Sequence, residues 1–390
     1  MKYNLLTLGE LVKIKYGKNQ KKVESVDGAF PIYGTGGLMG YATDALYDKP
    51  SVLIGRKGTI NKVRYVDHPF WTVDTLFYTE VNEELVIPKY LYYLMSLLDL
   101  DSYNEGTTIP SLRTETLNRL ELDIPDLDYQ KQVLSVLDPI DEKIKLNEEV
   151  NDNLLQQAQA ILTAFFIDFS HFGGQVPADW EQGTLQDIAD FSNGYAFKSK
   201  ELLDAPAPDC FHVFKQGHIN RGGGFNSNGT KSWYPISKCA SLSKYILRKG
   251  DILMAMTDMK DNVAILGNTA LMTVDNQYIV NQRVGLLRSN GYKSTSYAYI
   301  YLLTNSFDFL KDLRSRANSG VQVNLSSTEI KASPVWIATD AVNKEFNSLT
   351  EPLLTMIMTN DIENQRLASI RDTLLSQLMS GELDVSELSL

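Results

Sequence analysis

A chain of 390 residues with 43% hydrophobic and 22% charged residues is long enough for two or three cored domains and too evenly composed to be mostly disordered. No apolar run approaches the roughly 18–20 residues of a membrane span, residues 1–8 lack the pattern of a signal peptide, and two cysteines exclude a disulfide framework and a four-cysteine zinc site, so a soluble cytoplasmic protein is expected. The net charge of −11 argues at first sight against a partner as acidic as nucleic acid.

Residues 1–125 read as a first globular portion. It carries Pro31-Ile-Tyr-Gly-Thr-Gly-Gly followed by Gly40-Tyr41, a short strand at Val52–Ile54 running into Gly55-Arg-Lys-Gly-Thr59, and Gly106-Thr-Thr-Ile-Pro-Ser-Leu112 with Arg113. Tyr90–Tyr93 reads as a helix turning its rings into the core. Residues 126–172 are helical. A short helix near 128–137 and a long one over 139–168 are expected, because Asp138-Pro139 suits a first helical turn: proline has no N–H to satisfy there and the carboxylate faces the positive dipole end.

The second globular portion, 173–338, contains Gly194-Tyr-Ala-Phe-Lys-Ser199, Gln216-Gly-His-Ile219 with Arg221, and a strand at Ile252–Met254 after Lys249-Gly250. Val280-Asn-Gln282 and Gly320-Val-Gln-Val-Asn-Leu325 follow. A second helical tail occupies 339–390, with a short helix at 341–349, a long one over 352–379 opening at Glu351-Pro352, and Gly381 as its stop.

The chain repeats itself. From about residue 112 to 165 the two halves align without gaps at an offset of 213, placing Leu112 on Leu325, Ile124 on Ile337, Pro139 on Pro352 and Asn147 on Asn360. Upstream the offset drifts but the order persists: Thr7-Leu8 and Gly17 match Thr184-Leu185 and Gly194. Both long helices carry a 4-3 heptad seam, Ile140, Ile144, Asn147, Asn151, Leu154, Ala158, Ile161 and Phe165 in the first, and Leu353, Ile357, Asn360, Asn364, Leu367, Arg371, Leu374 and Leu378 in the second. Such a seam calls for a partner helix, and its duplicate is the nearest one, running in either direction. Asparagine at four seam positions costs stability but holds register, since a displaced carboxamide would be buried without a partner. Leu155, Leu162 and Phe166 beside the first seam, and Met356 and Met379 beside the second, widen the apolar stripe beyond what one helix pair needs.

Partitioning the charge removes the objection to nucleic acid. Residues 126–172 and 339–390 carry −6 each, whereas 1–125 carries −2 and 173–338 carries +3. The acidity belongs to the helical tails, and the globular portions are free to present basic faces. In the first, Lys18, Lys21, Lys22, Arg56, Lys57 and Arg113 supply cations beside Gly34, Thr35, Gly36, Gly37, Thr59, Thr107 and Thr108. In the second, Lys198, Lys200, Arg221, Lys260, Arg314 and Arg316 accompany Gln216, His218 and Gln322. Glycines admit a close backbone approach, Lys and Arg pair with phosphate or guanine, and glutamine pairs with adenine; ordinary solvated loops are the competing reading for any one of them.

Catalytic patterns are missing. Gly34-Thr35-Gly36-Gly37 lacks dinucleotide-fingerprint spacing, and no phosphate loop, nucleophile elbow or amino-methyltransferase tetrapeptide occurs. The four histidines show no metal spacing with one another or with the cysteines, so neither metal nor cofactor is expected in this chain.

Two variable portions, each followed by a copy of one helical segment, resemble the specificity subunit of a type I restriction–modification system. The resemblance spans the whole chain and rests on Pro31–Gly37 with Gly40-Tyr41, Val52–Gly58, Gly194–Ser199, Leu247–Met254, Gly320–Leu325 and, in the helical tails, Tyr129-Gln130 through Pro139 and Leu374–Gly381. One departure is that Asn343-Lys344-Glu345 stands where the first copy has Gln130-Lys131-Gln132. The resemblance implies an α+β protein with two mixed α/β target recognition domains, 1–125 and 173–338, and spacer regions 126–172 and 339–390 whose two long antiparallel helices give a pseudo-twofold arrangement. It implies a non-catalytic subunit in which each domain reads half of a bipartite target on double-stranded DNA. The spacers would set the gap and dock two modification (methyltransferase) subunits, over a face including Leu155, Leu162, Phe166, Met356 and Met379. S-adenosylmethionine would be bound by those partners, and ATP and magnesium by a separate restriction subunit. A single-chain methyltransferase or nuclease, and a coiled-coil protein adaptor, are the alternatives.

Overall fold

The computed structural model describes residues 3–259, 263–319 and 322–385, and it divides into two compact units, Met1–Lys143 with Leu367–Leu390, and Ile144–Arg366. Both boundaries fall inside the long helices, so each unit contains one globular portion and one end of both helices.

The first unit is built on a four-stranded antiparallel sheet ordered Val12–Tyr16, Leu76–Val81, Ser51–Gly55 and Val63–Val66. Ser51–Gly55 is buried along its whole length, which explains its unbroken apolar reading. A three-stranded sheet places Phe30–Gly34 between Gly37–Ala42, antiparallel, and Trp71–Thr72, parallel. Tyr3–Thr7 pairs with Glu121–Pro125, bringing the two ends of the globular portion together. The helix Pro88–Ser96 puts Tyr90 and Tyr93 into the core as expected, each at most 2% exposed.

The second unit repeats this topology strand for strand. Ala189–Asn193, Val284–Ser289, Ile252–Ala255 and Thr269–Leu271 form the four-stranded sheet, Trp233–Pro235, Cys210–Phe214 and Tyr278–Val280 the three-stranded one, and Glu181–Thr184 pairs with Pro334–Ile337. Local details repeat with it. The Glu10 carboxylate accepts from the Thr7 amide and hydroxyl, both at 2.7 Å, and Asp187 does the same for Thr184. A Cβ on Gly17 would sit 2.0 Å from the Val73 carbonyl oxygen, and one on Gly194 2.2 Å from that of Asn281, so glycine at both places is required by close backbone passage.

The divergent tripeptides at the helix starts also share one role. Gln130 is fully buried; its Oε1 accepts from the Ile87 amide and its Nε2 donates to the Leu85 and Pro125 carbonyls. Asn343, 2% exposed, donates to the Lys293 and Ala338 carbonyls and to Thr295 Oγ1. Each side chain fastens its helix to the loop ahead of the globular portion's own helix, Pro88–Ser96 or Tyr297–Thr304. The shorter asparagine performs the same task as the glutamine.

The prolines do not break the tails. One helix runs over Leu127–Leu162, ending in a π-helical turn at Thr163–Ile167, and another over Asp340–Ser380, with Pro139 and Pro352 inside them. An interior proline deprives the carbonyl four residues earlier of its donor and costs about 3 kcal/mol. Packing on both sides outweighs it: Val133, Leu134 and Leu137 enter the first unit's core, and Phe346, Leu354 and Met358 the second's. Gly381, at φ +72°, ends the second helix as expected.

Within each unit the helix segments face each other antiparallel. In the first, Arg371 pairs with Asp141 at 2.9 Å, Asp141 accepts from the Tyr93 hydroxyl, and the Tyr129 hydroxyl donates to the Leu378 carbonyl. In the second, Asn147 Nδ2 donates to Asn364 Oδ1 and Glu363 Oε2, Asn360 Nδ2 to Asn151 Oδ1, and Asn151 Nδ2 to Asp361 Oδ1, all at 2.8–2.9 Å. Of the other seam positions, Ala158, Phe165 and Leu378 are buried, while Ile140, Ile144, Leu154, Ile161, Leu353, Ile357, Leu367 and Leu374 are half-buried.

Candidate nucleic-acid interface

In the first unit three separate segments are tied together at one end of the four-stranded sheet. Arg56 and Lys57 donate their amides to the Thr75 carbonyl, the Leu112 amide reaches the Arg56 carbonyl, Gly58 donates to Pro110, and Lys57 bridges Ser111. The loops 55–59, 74–76 and 106–112 therefore form one junction. The two-residue turn Thr35-Gly36 joins it: the Cβ position of Gly58 (φ +90°) lies 3.9 Å from Thr35 Oγ1. Lys57, Thr59, Thr107, Thr108 and Arg113 are exposed, and Gly36 opens to solvent at the turn. Arg56 is held by the Asp74 carbonyl at 2.9 Å and lies over the Tyr16 ring, while Arg113 pairs with Glu105. Lys18, Lys21 and Lys22 are exposed on the segment after Val12–Tyr16. Gly34 and Gly37 are buried at the hairpin end, Gly34 because a Cβ would strike the Met39 sulfur at 2.3 Å.

The second unit builds the same junction from equivalent residues. The Leu325 amide reaches the Met256 carbonyl and the Met256 amide the Arg283 carbonyl. The single bridge Lys57–Ser111 has grown into paired strands Thr257–Met259 and Gln322–Asn324, with Thr257 opposite Asn324. Beside it opens a cleft of about 540 Å³ lined by Phe197, Ser199, Leu202, Lys215, Gln216, Gly217, Thr230, Asn281, Gln282 and Arg283. Among the described residues, two cations and no carboxylate line it. Gln216 is oriented by a reciprocal pair with Thr257, donating to its carbonyl at 2.7 Å and accepting from its hydroxyl at 2.9 Å. Lys198, Lys200 and Arg221 are exposed on neighbouring loops. The side chain of Gln322 and all of Lys260, Gly320 and Val321 lie outside the described residues.

Three expected contact residues are corrected. His218 is fully buried among Phe214, Phe225 and Tyr278, its Nδ1 taken by the Lys215 backbone; burial holds its imidazole down to about 4, with the neighbouring His212 acting the same way, so it shapes the Gln216 turn from beneath. Arg314 donates to the Leu266 carbonyl at 2.8 Å and to Asn268 Oδ1. Arg316 is engaged by Asp312, the Glu329 carbonyl and Ser333. Both guanidiniums are internal braces. On the helices, Leu162 and Phe166 are 2% and 3% exposed within the core of their own unit, so they form no partner face; Leu155 and Met379 are half-buried, and Met356 is 52% exposed.

Lys215, Asn281 and Arg283 fall outside the residues expected from sequence: Lys215 adjoins Gln216 in the chain, but the fold decides that it lines the same cleft, and Asn281 and Arg283 reach Gln216 only through pairing of strands far apart in the chain. Arg64 is another: its guanidinium lies over the Tyr33 ring and beside Gly37 at the hairpin. The repeat carried a usable signal, since Arg283 occupies the place of Thr75 in the duplicated junction.

Among the described residues no group of three or more His, Cys, Asp or Glu could hold a metal ion, and no helix is long and apolar enough to cross a membrane. A mixed α/β fold is used twice, and each copy ties its loops into a junction beside which cations stand, which defines a duplicated two-unit protein. The sequence matches the model of the type I restriction modification DNA specificity domain over residues 2–156 and again over 177–370, and the chain belongs to that family. The family supplies specificity to restriction–modification complexes and is not their catalytic component. Curated relatives include the type I restriction enzyme MjaIX specificity subunit of Methanocaldococcus jannaschii, 24% identical, with 88% of this chain and 80% of that one covered. The HindI specificity subunit of Haemophilus influenzae is also 24% identical, with 80% and 81% covered. The crystal structure of a type I system S subunit from M. genitalium superposes with a TM-score of 0.58 at 18% identity, covering 97% of this chain and 96% of that one.

Proposed function

We propose that this chain is the DNA sequence-recognition subunit of a type I restriction–modification complex, with target recognition domains at 1–125 and 173–338, each reading half of a bipartite site. The observation that carries this reading is the duplicated junction: the same three tied segments recur in both units, with Arg56, Lys57 and Thr59 at one and Lys215, Gln216, Gln282 and Arg283 at the other. Exposed cations such as Lys57 and Arg283 beside backbone-fixed loops are what phosphate positioning and base-edge contact require. The spacer regions 126–172 and 339–390 form an antiparallel pair in a pseudo-twofold arrangement and set the gap between half-sites. Helices of 36 and 41 residues support this, since at about 1.5 Å per residue they span more than one turn of B-DNA, about 34–36 Å. The asparagine layer supports it too, because a ruler needs one register.

Two methyltransferase subunits dock on the spacers and bring S-adenosylmethionine, and a restriction subunit brings ATP and magnesium. Leu146 and Val150, 54% and 38% exposed, replace Leu162 and Phe166 in that docking face beside Met356, 52% exposed. With both cysteines free, the complex works in the cytoplasm. The test is to map methylated adenines in DNA exposed to this chain with its cognate methyltransferase. Two short half-sites with a fixed gap are expected, and removing one heptad from each long helix should shorten the gap. A contiguous site, or an unchanged gap, refutes the reading.

A further inference from the structure

The second unit contains a cavity of about 170 Å³ that the DNA-reading role does not use. Two carboxylates line it, Asp152 from the first long helix and Asp361 from the second, with the Asn151 carboxamide beside them. The walls are apolar, with Leu155, Leu354, Ile357 and Met358 from the helices, and Phe225 and Tyr301 adding aromatic faces. The glycine loop 222–224, in left-handed backbone conformation at all three residues, lies along one side, with Gly223 and Gly224 in the lining. Gly223 is pressed so close to Asn305 that a Cβ would sit 2.5 Å from its Oδ1, so the loop is held in place.

Two independent features of the lining are chemically specific. Thr273 lines it, is 3% exposed, and its hydroxyl has no hydrogen-bond partner among the described residues. A buried hydroxyl left unmatched is costly. Asp361 lies largely out of water with one carboxamide donor, Asn151 Nδ2 at 2.9 Å. Glu148 and Asp152 stand near it on the facing helix, and no Lys or Arg pairs with any of the three carboxylates among the described residues. Burial first, and the Glu148 charge after it, push the Asp361 carboxyl up to about 6. A buried carboxylate on an apolar, aromatic-walled cavity is what a cation with a hydrocarbon stem satisfies: the charge meets Asp361, a donor N–H reaches Thr273, and the stem lies against leucine and methionine.

We infer that this cavity binds an alkylammonium or alkylguanidinium group, through Asp361 and Thr273 at its polar positions and the Leu155, Leu354 and Met358 walls along its stem. The group belongs either to a free amine or to a Lys or Arg side chain of a bound protein subunit. The inference does not rest on the DNA-reading role, and its test contains no DNA.

The intact chain at pH 8 is titrated with n-butylammonium chloride or n-butylguanidinium chloride, against n-butanol and sodium chloride at matched concentration. Melting and isothermal calorimetry are the readouts. Both cations should bind saturably and raise the Tm of the second unit by about 3–6 °C at ten times Kd; butanol and sodium chloride should not. Asp361→Asn should weaken cation binding at least tenfold, and Thr273→Val severalfold. Absence of saturable cation binding to the unmodified chain overturns the inference without any variant, and so does equal binding to Asp361→Asn. Repeating the titration on the complex with methyltransferase subunits separates the sources. Binding lost in the complex supports a partner's side chain as occupant, and binding retained supports a free amine.

Discussion

Replacing Gln130 by alanine tests whether one buried carboxamide fastens the first long helix to its domain. The side chain makes three hydrogen bonds at 2.8–3.0 Å, one from the Ile87 amide and two to the Leu85 and Pro125 carbonyls. Pro125 is buried, so its carbonyl loses its donor where water cannot replace it, at about 1–3 kcal/mol; the other two groups lose about 0.5–1.5 kcal/mol each. The sum is about 2–6 kcal/mol, and at about 2–4 °C per kcal/mol it lowers the first unit's transition by about 4–24 °C. Differential scanning calorimetry is the assay, because a chain of two compact units need not melt as one. Gln130→Glu discriminates further: a carboxylate can accept from Ile87 but cannot donate to either carbonyl, so it should be no better than alanine. Asn343→Ala should produce the same loss in the other transition. A Gln130→Ala chain melting within 1 °C of the parent, or Gln130→Glu matching the parent, refutes the reasoning.

Other outcomes are equally definite. Leu162→Lys buries a charge in the aromatic-lined core of the second unit and should cost about 3–5 kcal/mol; a soluble chain with unchanged melting that has merely lost its partners would contradict the core assignment. The His218 imidazole is held down to about 4. For such a base the unfolded chain takes up the proton first, so stability is intact above pH 6.5 and falls by about 3 kcal/mol as pH drops toward 4. Urea midpoints at pH 7 and 4.5 should show a smaller acid loss for His218→Asn, and an identical loss would be contrary. Lys57→Ala should weaken DNA binding for all sequences and reduce the logarithmic salt slope by about 1. Arg283→Ala should relax methylation at one position of one half-site only, a change at both halves being the contrary result.

How much was legible before folding can be judged residue by residue. The duplication was visible in the offset of 213, and the structure repeats it down to Gln130 and Asn343, which sit that far apart and fasten equivalent helix starts. Pro139 and Pro352 misled because a proline next to an acidic residue is a good helix start in isolation. Only the core contacts on either side show that the helix continues through it. Arg314 and Arg316 resemble any other cation in sequence, yet Arg314 is consumed by the Leu266 carbonyl and the Asn268 carboxamide and Arg316 by the Asp312 carboxylate and the Glu329 carbonyl.

The sequence by itself determined the repeat, the confinement of negative charge to the tails, and the positions of the seam asparagines, because periodicity and composition are properties of neighbours along the chain. Tertiary structure alone decided which cations are consumed by internal hydrogen bonds, that Arg283 shares a cleft with Lys215 and Gln216, and that Asp361 and Thr273 line one cavity. Those facts depend on strand pairings and helix contacts between segments tens to hundreds of residues apart. A side chain's chemistry is set by whatever the fold leaves within hydrogen-bonding reach, and no local pattern encodes that.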